Sequence, residues 1–301
     1  MRALTMVLVL LSACGAALSS EPATRPALHV EIIKGDGAGR VEAAAFLPDG
    51  AFVIAGFTDA KWQEGGKAVS VGGKGFLSRR DAGGKALQEV MFDKVVSDLA
   101  ADPKGHIYVA GAFGARKFGP RLEPVWAHEQ SAAAPGSFGR DEGGLPRVAA
   151  LEDGGAVVFS PVAEGRRSVN RIFVIGQDGK TVRHFDAGGG FLNDLTYDPA
   201  SKHVIVCGFD NKSGVSKDGK RGPVQVAFAI AYNLEGQRVW KAWGWTGQQM
   251  FDTRLLADTR AYRCEIGADG KLYILGESAG GNSMFHRSGQ DLEKDAPFTV
   301  G

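Results

Sequence analysis

One offset recurs along this chain and fixes most of what it can fold into. A turn residue, usually glycine, stands six residues before a small residue that closes a short apolar strand. The pairs are Gly50/Gly56, Gly105/Gly111, Gly154/Ser160 and Gly270/Gly276, with Lys202 in the turn slot before Gly208. Each pair ends the same frame of apolar strand, tight turn and apolar strand: Val41 to Gly56, Val96 to Gly111, Pro146 to Ser160, Leu192 to Gly208 and Ala261 to Gly276. The closing residues lie 55, 49, 48 and 68 positions apart. About 50 residues per unit is the length of one four-stranded propeller blade. A second hairpin follows in the better copies, as in Gly75 to Arg79, a turn at Gly83-Gly84, then Ala86 to Phe92. The second unit departs, because Phe118 to Gly144 is rich in glycine, proline and polar residues, and an extra segment, Gly244 to Arg260, lengthens the last interval. No stretch sustains a 3.6-residue apolar period. The expected fold is all-β: a β-propeller of about five recognisable four-stranded blades over residues 28–301.

Asp102-Pro103-Lys104-Gly105-His106-Ile107-Tyr108-Val109-Ala110-Gly111 resembles the SBBP-type bacterial propeller repeat, a strand, a D-x-x-G turn and a V-Y-V-x-G strand followed by a second hairpin. The resemblance covers residues 28 to 287 and implies a fold, not an activity. Ala27 to Lys34 lines up with Ala86 to Asp93, the fourth strand of the first full unit, so it could be lent to the last blade and close a ring. The chain stops at Phe298 to Gly301 without a recognisable cap, which favours an array truncated at its C-terminus over that five-blade closure.

The first residues speak to compartment. Met1-Arg2 and the apolar run Ala3 to Leu11 have the build of a secretory signal, too short to span a bilayer as a helix. The run closes on Leu11-Ser12-Ala13-Cys14-Gly15, which resembles the lipobox of bacterial lipoproteins. That resemblance implies lipidation of Cys14 and an extracytoplasmic, membrane-anchored protein; ordinary secretion with cleavage after Ser19 is the alternative. Residues 1–19 are therefore read as a signal peptide and 20–27 as a tether. The remaining cysteines, Cys207 and Cys264, occupy apolar strand positions and read as buried free thiols rather than a bridge. A net charge of +1 without runs of like charge argues against nucleic acid as a partner.

Motifs that could carry chemistry fail on context. Gly276-Glu277-Ser278-Ala279-Gly280 matches the G-x-S-x-G elbow in text, but no acid and histidine follow in order and no helix is expected after it. The six histidines show no zinc spacing, and His106 and His203 read as solvated strand starts. Gly35 to Gly39 reads as a loop rather than a phosphate cradle. The loop Asp210 to Gly219 has carboxylates for calcium but four cationic side chains beside them. Ala231 to Trp240 is similar to the quinone-enzyme blade motif but lacks its Asp and Thr. No cofactor or metal is expected.

Two constellations remain. Trp240, Trp243 and Trp245 read first as blade packing and second as contacts for a ligand such as a carbohydrate. In the first strands, which line the channel of a propeller, successive copies carry Asp98, Arg147, Asp194 and Arg263, with Glu42 near the equivalent place in the first copy. Alternating signs predict an inter-blade charge ring, structural before ligand-contacting. The leading functional expectation is an exported, non-catalytic module that binds or scaffolds a carbohydrate or protein ligand. The alternative is an envelope enzyme acting on polysaccharide through carboxylates that the sequence does not single out.

Overall fold

The computed structural model describes residues 7–10, 29–32, 39–61, 72–130, 145–164, 167–188, 190–215, 221–243, 259–278, 281–287 and 296–297. Every regular element among them is a strand. Strand β1 (Val7–Leu10) pairs antiparallel with β2 (His29–Ile32). The first sheet is β3 (Arg40–Phe46), β4 (Phe52–Lys61), β5 (Gly72–Arg80) and β6 (Ala86–Phe92). The second is β7 (Val96–Ala101), β8 (Ile107–Gly111), β9 (Gly114–Phe118) and β10 (Pro124–Glu129). The third is β11 (Arg147–Ala150), β12 (Ala156–Glu164), β13 (Arg167–Ile175) and β14 (Thr181–Asp186). The fourth is β15 (Phe191–Asp198), β16 (His203–Val215), β17 (Arg221–Asn233) and β18 (Arg238–Trp243). The fifth has three described strands, β19 (Thr259–Ile266), β20 (Leu272–Ser278) and β21 (Gly281–Arg287). A short β22 (Ala296–Pro297) lies parallel to β18.

Each sheet is an antiparallel meander in sequence order, which makes each a blade. The first strands β3, β7, β11, β15 and β19 neighbour one another in that order, and Arg263 on β19 donates to the Glu42 carbonyl on β3 at 3.1 Å. The fold is a β-propeller, with five blades among the described residues and these strands at the centre. Successive side chains point to opposite faces of a strand, and β8 and the first six residues of β12 are buried on both, so each sheet has two faces to bury. Four clusters of buried residues bury them, one each between blades one and two, two and three, three and four, and four and five.

The turn slots are all left-handed: Gly50, Gly105, Gly154 and Gly270 have φ of +82°, +83°, +90° and +72°, and Lys202 is at +58°. Two expectations are corrected. His29–Ile32 is a strand, but its partner is Val7–Leu10 and not the edge of sheet five. Closing that short hairpin costs far less chain entropy than closing across the whole molecule. The second blade has its second hairpin after all, because two residues separate β9 from β8 and the chain turns back through Leu122 (φ +59°) into β10. The segment 244–258 lies outside the described residues.

Candidate functional site

Four of the five inner strands share a distortion that places the residue of the ring slot. Register slips by one residue between Val41 and Ala43, Val96 and Asp98, Leu192 and Asp194, and Ala261 and Arg263. Each slip is a β-bulge, which leaves one residue unpaired and turns its carbonyl away from the ladder. The bulged residues are Glu42, Ser97, Asn193 and Tyr262. The residue after the bulge is the ring slot: Ala43, Asp98, Asp194 and Arg263, with Arg147 at the start of β11. Ala43 takes the paired slot of blade one, and Glu42 stands next to it, near the equivalent place. Counted back seven residues from its turn glycine, blade one also gives Ala43, and Glu42 is the charged residue that adjoins this slot. Its carboxylate pairs with Arg40 at 2.5 Å and adds its charge to those that Arg147 and Arg263 meet.

The other four charges come together. Arg147 lies 4.0 Å from Asp98 and 3.9 Å from Asp194, and Arg263 lies 3.3 Å from Asp194 and 3.9 Å from Asp98. These contacts close a four-membered cycle of alternating sign. Because blade one offers only the small Ala43, Arg263 reaches past it to Asp98. The remaining valences go to the backbone of adjoining blades. Asp98 Oδ2 accepts from Val148 N–H at 2.9 Å, and Asp194 Oδ2 accepts from Cys264 N–H at 2.8 Å. Arg147 donates to the Ser97 and Asn193 carbonyls, each at 2.7 Å, both of them bulge carbonyls. The bulges and the charges are one device: the bulge frees an acceptor, and the neighbouring guanidinium satisfies it. Asp98 is 7% exposed; burial, with the like charge of Asp194, holds its carboxyl up at about 6 against two arginines.

Two residues past the ring slot, blades one to four carry Ala45, Ala100, Ala149 and Thr196. Blade five carries Glu265, which meets solvent although protein surrounds it. Burial, then Asp194 and Asp98, raise its carboxyl to about 7. The same blade departs on its second strand. The ladder partners of the ring residues are Ala55, Ala110, Phe159 and Cys207, all 0% exposed, and then Leu275, which is 50% exposed. Leu272 and Ile274 pack toward blade four, so Leu275 and Glu265 face blade one. On blade one Ala43, Ala45, Val90 and Phe92 pack toward blade two, so Phe46 and Met91 face the other way, 52% and 57% exposed. The seam between blades five and one thus differs from the other four: large apolar side chains stand in solvent on both of its walls. Neither Glu265 nor this seam was singled out by sequence, although Glu265 in a column of small residues was a usable signal.

The remaining candidates fall elsewhere. Trp240 is 1% exposed in the cluster between blades four and five, a packing residue; the Trp243 side chain and Trp245 lie outside the described residues, as does Cys14. Ser278 pairs with Gly281 across β20 and β21, so its G-x-S-x-G text is a hairpin and not a strand-to-helix elbow. His106 is not simply solvated: its Nδ1 lies 2.8 Å from Asp102 Oδ2, which also accepts from the Tyr108 hydroxyl at 3.1 Å. Asp102 Oδ1 takes the Lys104 and His106 N–H groups, so this trio braces a turn. Among the described residues no group of three His, Cys, Asp or Glu side chains could hold a metal ion.

No family model matches the sequence, and no curated protein matches it. Solved structures similar to it include the Dos1 propeller, at 13% identity over 90% of this chain and 71% of that one, with a TM-score of 0.46. MPT-4, a mannose phosphorylase from Leishmania mexicana in complex with phosphate ion, is 13% identical over 82% of each chain, with a TM-score of 0.38. A protein of unknown function from Bacteroides caccae is 12% identical over 80% of this chain and 90% of that one, with a TM-score of 0.35. None of these likenesses carries a function to this chain.

Proposed function

We propose that this chain is an exported propeller of the SBBP repeat kind, anchored through lipid on Cys14, that binds a protein partner rather than transforming a substrate. The observation that carries the reading is the half-exposed Leu275, in a slot that is fully buried in the other four blades. Phe46 and Met91 on the opposite wall and Glu265 beside it make an apolar surface with a charged margin, the make-up of a protein contact. A flat aromatic platform for a sugar finds no support in Trp240, which is buried. The charge cycle at the centre belongs to the scaffold, since the backbone of adjoining blades takes both acids and Arg147.

A polysaccharide-cleaving enzyme is the second reading, favoured by the raised carboxyl of Glu265. Glycoside cleavage calls for two carboxyl groups flanking one bond, and Asp98, the other raised acid, is buried against Val148. Binding therefore accounts for more. A photoreactive residue at position 275 of the full chain in its own envelope should give one discrete polypeptide adduct. Leu275→Asp should abolish co-purification of that polypeptide and leave the melting temperature unchanged. A probe at Val182, 71% exposed on β14, should give no adduct. Equal labelling at 182 and 275 would overturn the seam as the contact. Polysaccharide hydrolysis lost in Glu265→Gln would favour the enzyme. Cys14→Ser should abolish fatty-acid labelling, whereas normal maturation to Ser20 in that variant would remove the anchor from the reading.

A further inference from the structure

Cys207 and Cys264 belong to different blades yet meet in one apolar cluster, at 0% and 3% exposure. The two thiols lie close enough that Cys207, ahead of burial, pushes the Cys264 thiol well above its ordinary pKa. The backbone holds them in place through the charge cycle. Cys207 is the ladder partner of Asp194, and Asp194 Oδ2 accepts the Cys264 N–H at 2.8 Å. On its other side, Cys264 Sγ lies 3.9 Å from the carbonyl of Ile205, two residues before Cys207 on the same strand. The clamp of blade five to blade four and the facing of the two thiols are thus one arrangement.

Packing alone does not ask for sulfur here. The slot of Cys207 holds Ala55, Ala110 and Phe159 in blades one to three, and the slot of Cys264 holds Leu99, Val148 and Leu195 in blades two to four. Two such apolar slots oppose one another across each sealed seam, and only between blades four and five are both filled by cysteine. Both are free, buried thiols in the structure, as the sequence reading has them, and the blades bring them into one cluster.

We propose that Cys207 and Cys264 are the site of an inter-blade disulfide that locks blade five onto blade four. The oxidant is a low-molecular-weight or protein disulfide. Its sulfur–sulfur bond breaks as the Cys207–Cys264 bond forms, and the two protein thiol protons end on the two thiols it releases. The contact with Cys207 and burial keep the Cys264 thiol protonated in the folded chain. The exchange therefore belongs to folding, while blade five docks and both sulfurs are still reachable. Occupancy in the cell rests on the exported reading above, since an oxidising compartment lets the bond persist; the geometry does not.

The test separates the two. Full-length Cys14→Ser chain is unfolded, refolded with mixed oxidised and reduced glutathione, alkylated and mapped by mass spectrometry. The expected result is a chain two hydrogens lighter, with one peptide pair joined through Cys207 and Cys264 and neither thiol alkylated. Reductant should then lower its melting temperature, but not that of the Cys207→Ala/Cys264→Ala variant. Full alkylation of both thiols after refolding, or bridging only between chains, would overturn the disulfide. Bridging after refolding, with free thiols in protein taken from cells, would uphold the disulfide site and count against export.

Discussion

A missing Cβ explains the closing slot of the repeat. At Gly56, Gly111 and Gly208 a Cβ would run into the Arg40, Val95 and Phe191 carbonyl oxygens of the first strand. Those strands carry the bulge that swings their backbone toward the slot. In blade three Pro146 precedes Arg147, β11 and β12 pair in continuous register, and Ser160 fits. The turn slot has a different requirement. Around Gly270 nothing lies within 4 Å of a Cβ, so only its φ of +72° resists substitution. Gly208→Ala should therefore cost about 3 kcal/mol, because backbone must move to admit it. Gly270→Ala should cost about 1 kcal/mol, the strain of a left-handed alanine. Urea titration of the two variants measures the difference, and equal losses would show that the slots are not distinct. The pattern of small residues was legible in sequence as a period; its cause, a bulge on the neighbouring strand, was not.

Whole elements show where sequence reading ran short. Blade two's third strand, Gly114–Phe118, does not alternate in the ordinary sense, because Lys117 is 6% exposed. Its ammonium donates to the Gly154 carbonyl at 2.8 Å and lies 5.0 Å from the Tyr108 ring centroid. A buried lysine reads as a surface residue until the neighbouring blade supplies its acceptor. The charge cycle was legible as alternating signs in one column, since that column depends only on the repeat. Blade one breaks the column, because the slot seven residues before Gly50 holds the uncharged Ala43. Arg147 tests the cycle as an element. Arg147→Met should destabilise the fold by about 3–5 kcal/mol, as it strands Asp98 and Asp194 in the interior and takes the donors from two bulge carbonyls. Adding Asp98→Asn should recover part of that loss, because one stranded charge goes with it. A double-mutant cycle by thermal unfolding reads the coupling. Additive losses would mean that the two side chains do not interact, whatever their 4.0 Å approach.

At the scale of the molecule, the stability of the ring answers to pH in a direction set by the acids at its centre and at its open seam. Asp98 is raised from 3.8 to about 6 and Glu265 from 4.5 to about 7. An acid whose folded pKa lies above its unfolded value binds more protons folded than unfolded between the two. Stability therefore rises as pH falls from about 7 toward 4.5 and is lost again on the way back up. Two kinds of group oppose this. Burial lowers His128, which withdraws stability below its ordinary 6.5. Asp49, Asp102, Asp178, Asp186 and Asp269 are lowered, the last to about 2, so their contribution is present above 4 and lost as pH falls through their folded values. Glu265→Gln isolates one member, because glutamine mimics the protonated acid at every pH. The variant should melt close to the wild type at pH 5 and above it at pH 8, where wild-type Glu265 is charged beside Asp194 and Asp98. Differential scanning calorimetry at the two pH values reads both differences. A gain that is equal at pH 5 and pH 8, or larger at pH 5, would place Glu265 away from those carboxylates and remove the electrostatic link between the seam and the charge cycle.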